Sequence, residues 1–349
     1  MTIRNLSPQK MFHQMALEHK PSRAFHGKDK RAFQKWKRTT FPKVVATLGK
    51  SPDRVPLRAQ KLVEWEHDGL HKERWIIDVQ KHMSATLLIN RPAGLGRTEK
   101  LPAILCCHGH GPFGKEPVMG NDSSEGLREN IAAHGYNYGH EMARCGYVTY
   151  AIDWIGFGER NDSQKPNHLI VDRGRDWCNL YYLHATMLGM TSLSINVVHG
   201  KAATDFASTQ PHVDPKRLGV MGLSGGGTMT LWMALCDSRF KAAEIICYSD
   251  LWAYFGSRDI NYCGMQVAPG LFELVDMPDL QGLLAPNPLL IDIGIHDTCF
   301  KVDTAMMCYR KLEKIYKAAG ASDRLALDLH NGEHGWQGNK SDAFFGAFL

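Results

Sequence analysis

Gly222-Leu-Ser-Gly-Gly226 sets a serine between two glycines at a spacing of two. The run Arg217-Leu-Gly-Val-Met-Gly222 leads in, and Thr228-Met-Thr-Leu-Trp-Met-Ala-Leu-Cys236 leads out with the apolar density of a buried helix. Ser224 is therefore predicted on a sharp strand-to-helix turn, in strained backbone. Side chains at the flanking glycine positions would clash there with the neighbouring strand and helix. The helix amino terminus then presents free N–H groups beside the hydroxyl, where negative charge is stabilised. A serine hydroxyl is a poor nucleophile at neutral pH. It needs a base, an acid that orients the base, and N–H donors for the oxyanion.

Those partners are sought at the carboxyl ends of buried strands, where open α/β sheets carry their chemistry. His108-Gly-His-Gly111 follows the run Leu101–Cys107. Its glycines let backbone N–H groups turn inward and supply a second oxyanion donor beside the N–H of Gly225. Removing one such donor costs about 3–4 kcal/mol of transition-state stabilisation. A metal role for His108 and His110 is the weaker reading, because two histidines two apart lack the usual ligand spacing and no carboxylate or cysteine is obviously paired with them. Asp153, after Tyr147–Ile152, is read as a shaper of its loop. Two carboxylates compete as the orienting acid: Asp250 after Ala243–Cys247, and Asp297 after Leu289–Ile293. Asp297 is preferred, since it ends a Gly-x-x-Asp turn between a strand and a helix. His334, between Glu333 and Gly335, has the freedom a general base needs, whereas His330 at the strand end is read as structural. His108, Trp154 and Trp252 are candidates for substrate contact.

The elements that must hold these residues alternate. Apolar runs at 101–107, 147–152, 218–221, 243–247, 289–293 and 325–329 are interleaved with helical stretches at about 130–145, 183–208, 228–237 and 302–319. That pattern predicts an α/β fold: a mostly parallel central sheet of about eight strands, with helices on both faces. Three strand-length segments rich in β-branched or aromatic residues, at 60–66, 73–79 and 84–90, are separated by turns at Asp68-Gly and around Lys81 and predict an antiparallel meander ahead of it. Residues 1–58 are basic and polar and predict a helical extension, with Ser7 and Pro8 opening one helix and a second over Asp29–Arg38. Residues 59–349 form the remaining domain, and 250–286, with Trp252, Tyr254, Phe255, Tyr262 and Phe272, a small cap.

The 349 residues carry a net charge of +5, too modest to argue for nucleic-acid binding, and no basic stripe interleaves with aromatics. No run reaches the roughly 18–20 apolar residues that span a bilayer, and the amino terminus lacks the apolar core of a signal peptide. Nine scattered cysteines, an odd number, read as reduced thiols of a cytoplasmic protein. No cofactor or metal is expected, and the amino-terminal extension suggests a homo-oligomer.

The assembled features resemble the α/β-hydrolase superfamily over roughly residues 60–349. Gly222-Leu-Ser-Gly-Gly226 is similar to its nucleophile elbow, His108-Gly-His-Gly111 to its oxyanion loop, Gly294-Ile-His-Asp297 to its acid turn, and Gly332-Glu-His334-Gly to its histidine loop. The order Ser, Asp, His is also that superfamily's order. Residues 146–159 and 213–222 resemble the dienelactone-hydrolase and acetyl-xylan-esterase branch. The resemblance implies a compact site for small acyl esters, with the backbone N–H of His110 as second oxyanion donor. Dienelactone hydrolases proper use cysteine, so Ser224 favours the esterase side of the branch. The expectation is a serine hydrolase of small acetyl-type carboxylic esters acting through an acyl-enzyme. A serine peptidase or amidase on the same fold, or a non-catalytic binding protein, are the rivals.

Overall fold

The computed structural model describes residues 4–162, 176–261 and 263–349. Among the described residues nine strands form one sheet: β1 (Gln60–His67), β2 (Leu70–Gln80), β3 (Met83–Pro92), β4 (Leu101–Cys107), β5 (Val148–Ile152), β6 (Val213–Leu223), β7 (Phe240–Ile246), β8 (Leu289–Gly294) and β9 (Leu325–His330). Their order is β1-β2-β3-β5-β4-β6-β7-β8-β9. The meander β1–β3 is antiparallel and joins β5 antiparallel. From β5 to β9 every pairing is parallel, so six strands end on the same edge.

Successive residues of the central strands point to opposite faces, and both faces are covered. In β4, Leu105 and Cys107 enter one apolar core while Ile104 and Cys106 enter the other. This two-sided burial is why the strand reads as an unbroken apolar run rather than an alternating one.

The helices follow local signals closely. Ser7 caps the helix Pro8–Glu18 by accepting from the Lys10 N–H, and Asp29 caps Lys30–Ala46 through the Ala32 N–H. The second helix runs eight residues beyond the expected Arg38, through Pro42. Two stretches expected as single helices are each broken. Gly135, at φ 55° in the left-handed region, ends Glu125–His134 before Tyr138–Arg144 begins. Gly189, at φ 74°, separates Trp177–Met187 from Ser192–Ser208, which restarts with a Thr191–Ser194 capping box.

The described residues of 250–286 hold only short helical turns, Trp252–Phe255, Gly264–Gln266, Leu271–Leu274 and Met277–Gly282. Their apolar side chains, Trp252, Phe255, Leu271 and Leu280 among them, enter the main core, while Phe272 packs against it. Tyr262, one of the aromatics expected in this segment, lies outside the described residues. No helix among the described residues is long and apolar enough to cross a membrane.

Candidate active site

Ser224 follows the last residue of β6 and precedes the helix Gly225–Cys236. Its backbone sits at φ 60°, ψ −120°, a conformation a non-glycine residue holds only when its surroundings enforce it. The enforcement is visible. The Ser224 N–H donates to Ile246 O at 2.9 Å, tying the turn to β7. A Cβ at Gly222 would lie 2.5 Å from Cys107 O, and one at Gly226 only 1.9 Å from the same oxygen. Glycine is thus required at both flanks by the close approach of β4. The Ser224 hydroxyl does not cap its own helix.

The His108–Gly111 loop lies directly against this turn. A Cβ on Gly109 would stand 3.3 Å from Ser224 Cβ. One on Gly225 would stand 2.7 Å from His110 Nδ1 and 3.5 Å from the His110 backbone N. His110 and Gly225 are therefore close neighbours beside the Ser224 turn. The Tyr136 hydroxyl anchors the loop by accepting from the Gly109 N–H at 2.6 Å. Desolvation of the ring, with the neighbouring His108 adding to it, lowers the His110 pKa to about 4, although the residue as a whole is exposed.

At the same carboxyl ends of the parallel strands, Asp297 lies three residues beyond β8 and His334 four beyond β9. His334 Nδ1 and Asp297 Oδ2 are 2.8 Å apart. Asp297 Oδ1 accepts from the Cys299 N–H at 2.7 Å and the Phe300 N–H at 2.9 Å, so the carboxylate is fixed from both sides. The acid turn and the histidine loop are stitched by backbone bonds, Ile295 N–H to His330 O and His296 N–H to Gly332 O, each 3.0 Å. The Phe300 ring stacks on the His334 imidazole at 5.8 Å and 11°. His134 also meets the His334 backbone carbonyl at 2.8 Å through Nδ1.

Asp250 is placed elsewhere. It is buried, and its Oδ1 accepts from the Leu251 N–H. Desolvation raises its pKa to about 6. His330 pairs with Asp292 through Nε2 at 2.9 Å, one layer beneath the Asp297–His334 pair.

Three expected substrate contacts are corrected. His108 is fully buried. Its Nε2 accepts from the Trp154 N–H at 2.9 Å and its Nδ1 faces Gly109 O at 2.8 Å, which fixes the tautomer and spends both nitrogens on the loop. Trp154 is itself fully enclosed in the core. Trp252 lines a cavity of about 370 Å³ shared with Gln9, Phe12 and Phe272, away from Ser224 and His334. His108 and Trp154 stand beside strand ends in sequence, but their side chains are fully buried.

Asp153 shapes its loop as expected. It accepts from the Lys115 N–H at 2.8 Å and the Glu159 N–H at 3.1 Å, and pairs with Lys115 Nζ at 2.7 Å. Burial opposes the Lys115 charge, but Asp153, Glu116 and Glu159 outweigh it and hold the ammonium above its usual range. This lysine, fully buried in the turn Lys115–Val118, carried no signal in the sequence beyond its place after the His108–Gly111 loop.

The expectation of reduced thiols throughout also needs correction. Cys178 and Cys263 are joined as a disulfide, with their Cα atoms 6.4 Å apart. Eighty-five residues separate them in the chain, so the pairing depends on how the helix Trp177–Met187 packs on the 264–266 turn. Among the described residues the other seven cysteines are free.

A model of the Abhydrolase family matches residues 2–326. The chain belongs to the Abhydrolase family. A Bacillus subtilis protein described as "Putative hydrolase YtaP" is 26% identical over 283 residues, 79% of this chain and 86% of that one. Among solved structures, a "putative acetyl xylan esterase" from Bacteroides fragilis superposes with a TM-score of 0.73 at 18% identity, covering 94% of this chain and 83% of the other. A glucuronoyl esterase from Solibacter usitatus superposes with a TM-score of 0.64 at 16% identity, covering 91% and 93%. At these identities the two structures establish a shared α/β-hydrolase fold. The predicted fold class and superfamily resemblance therefore hold, with nine strands in place of about eight.

Proposed function

We propose that this hydrolase-family chain is a serine carboxylesterase that cleaves small acetyl-type esters through an acyl-enzyme. Ser224 is the nucleophile, His334 the base and Asp297 the orienting acid. The observation that carries the reading is the 2.8 Å contact of His334 Nδ1 with Asp297 Oδ2, on a loop pair at the same sheet edge as the strained Ser224 turn. A carboxylate on Nδ1 keeps the proton there and leaves Nε2 unprotonated, the tautomer a base requires.

In the first half-reaction, Nε2 takes the Ser224 proton as Oγ attacks the ester carbonyl. The oxyanion is met by the N–H groups of His110 and Gly225. Collapse expels the alkoxide, which receives the proton from His334, and leaves acetyl-Ser224. Water then repeats the sequence: His334 takes its proton, hydroxide adds to the acyl carbon, and Ser224 Oγ leaves with that proton. Asp297 keeps its negative charge throughout and stabilises the imidazolium.

Labelling with a fluorophosphonate, located by peptide mass spectrometry, tests the nucleophile. A single adduct on Ser224, absent in His334→Ala, is expected. Hydrolysis of p-nitrophenyl acetate should vanish in Ser224→Ala. An unlabelled Ser224 in a folded sample, or full turnover in Ser224→Ala, overturns the mechanism. The size of the acyl group follows from a ladder of p-nitrophenyl esters, on which activity should fall beyond short chains.

A further inference from the structure

The Cys178–Cys263 pair does not stand alone. His110 Nε2 lies 3.0 Å from Cys263 Sγ, and the three ligand atoms of His110, Cys178 and Cys263 all fall within 4.8 Å of one another. The His110 ring is aimed by its surroundings. Its Nδ1 edge faces Gly225, and Phe157 packs edge-on at 5.1 Å, which leaves Nε2 directed at the sulfurs. Three separate segments thus converge on one point: the loop after β4, the first turn of Trp177–Met187, and Cys263 just before Gly264. The point opens on a cavity of about 320 Å³, lined among others by Gly111, Phe157, Asp176 and Trp177.

We propose that Cys178, Cys263 and His110 form a binding site for a borderline-soft divalent cation, Zn²⁺, when the disulfide is reduced. Two thiolates and an imidazole are the donor set that zinc prefers, with bonds of about 2.3 Å to sulfur and 2.0–2.1 Å to nitrogen. Tetrahedral ligation sets the sulfurs about 3.8 Å apart. Side-chain rotation alone supplies that opening, because Cα atoms 6.4 Å apart accommodate either state. Asp176 is not the fourth ligand, since its carboxylate already accepts from the Cys178 N–H at 2.9 Å and Asn179 Nδ2 at 2.7 Å. The fourth position faces the cavity and takes water.

The chemistry balances. A dithiol reductant transfers two electrons and two protons to the S–S bond and becomes a cyclic disulfide. The two thiols so formed release two protons as Zn²⁺ binds. Oxidised and zinc-bound states exclude each other, because each consumes the same two sulfurs. In both, the oxyanion loop is tied to the helix Trp177–Met187 through His110.

Zinc titration of the full chain tests this, independently of esterase activity. The protein is reduced anaerobically with dithiothreitol, desalted, and titrated with Zn²⁺ against a chromophoric chelator. Co²⁺ serves as the spectroscopic probe. The reduced wild type should take one tight equivalent, with a thiolate-to-cobalt charge-transfer band. Cys178→Ser and Cys263→Ser should each bind at least tenfold more weakly. His110→Ala should also weaken binding at least tenfold yet keep the charge-transfer band. The reoxidised wild type needs no substitution and serves as the control for folding: it should lose the tight site. Binding to the reduced wild type no tighter than to the Cys178→Ser/Cys263→Ser double variant, or undiminished binding after reoxidation, overturns the proposal.

Discussion

Asp297→Asn tests the proposed orienting acid with almost no change in shape. Asp297 Oδ1 accepts two backbone N–H groups, while Oδ2 meets one ring nitrogen. An asparagine that keeps its carbonyl oxygen at the Oδ1 position preserves both backbone bonds. The flipped amide would lose both to save one, at about 1 kcal/mol or more each, so the unflipped form wins. Its NH2 then points at His334 Nδ1, which must accept. The ring proton moves to Nε2, and the base can no longer take the Ser224 proton. In a serine triad this tautomer error costs about 10⁴ in kcat, or roughly 5.4 kcal/mol of barrier. The fold should be unaffected. Steady-state hydrolysis of p-nitrophenyl acetate, with thermal melts of both proteins, measures the two effects. Asp250→Asn is the control and should stay within threefold of wild type. Activity of Asp297→Asn within tenfold of wild type, or an equal loss in Asp250→Asn, refutes the assignment.

Other substitutions report on the frame around the site. Lys115→Met leaves the Asp153 carboxylate buried without its cation, and unfolding in urea should show a loss of about 3–5 kcal/mol. Gly226→Ala drives a Cβ to 1.9 Å from Cys107 O, so soluble folded protein should fall sharply. An unchanged yield and melt would mean that β4 can withdraw. Glu244 is buried, and desolvation, with Asp292 adding to it, raises its pKa to about 8. An unfolded glutamate titrates near 4.3. Between those values the folded state holds a proton that the unfolded state releases, so stability declines as pH rises towards about 8. Glu244→Gln cannot ionise, and its melting temperature should drop less than that of the wild type between pH 6 and pH 9.

The strand-to-helix turn at Ser224 was legible in the residue order. The elbow needs only glycines at two positions and an apolar run on each side, and all of that lies within 20 residues. The buried strands announce themselves because two-sided cover leaves no polar alternation. Ser7 and Asp29 mark helix starts because a cap is a bond between residues two or three apart. Helix ends were less legible at 135 and 189, where one glycine in the left-handed region outweighed a continuous apolar pattern.

Tertiary structure decided whatever depends on strands distant in sequence lying side by side. Asp250 and Asp297 both follow buried strands, and sequence context favours one without excluding the other. Only the adjacency of β8 and β9 brings Asp297, and not Asp250, onto the His334 ring across 37 residues. The same holds for His330, whose ring turns beneath the sheet edge to Asp292. His108 and Trp154 stand where substrate contacts are expected, and the packing of their loops turns them inward. The Cys178–Cys263 pair spans 85 residues and has no local signal at all. Hydrogen bonds within a turn are set by chain connectivity, and the chain writes them in its spacing. Contacts between strand ends are set by sheet order and by which side chains fill each core, and those exist only once the whole chain has packed.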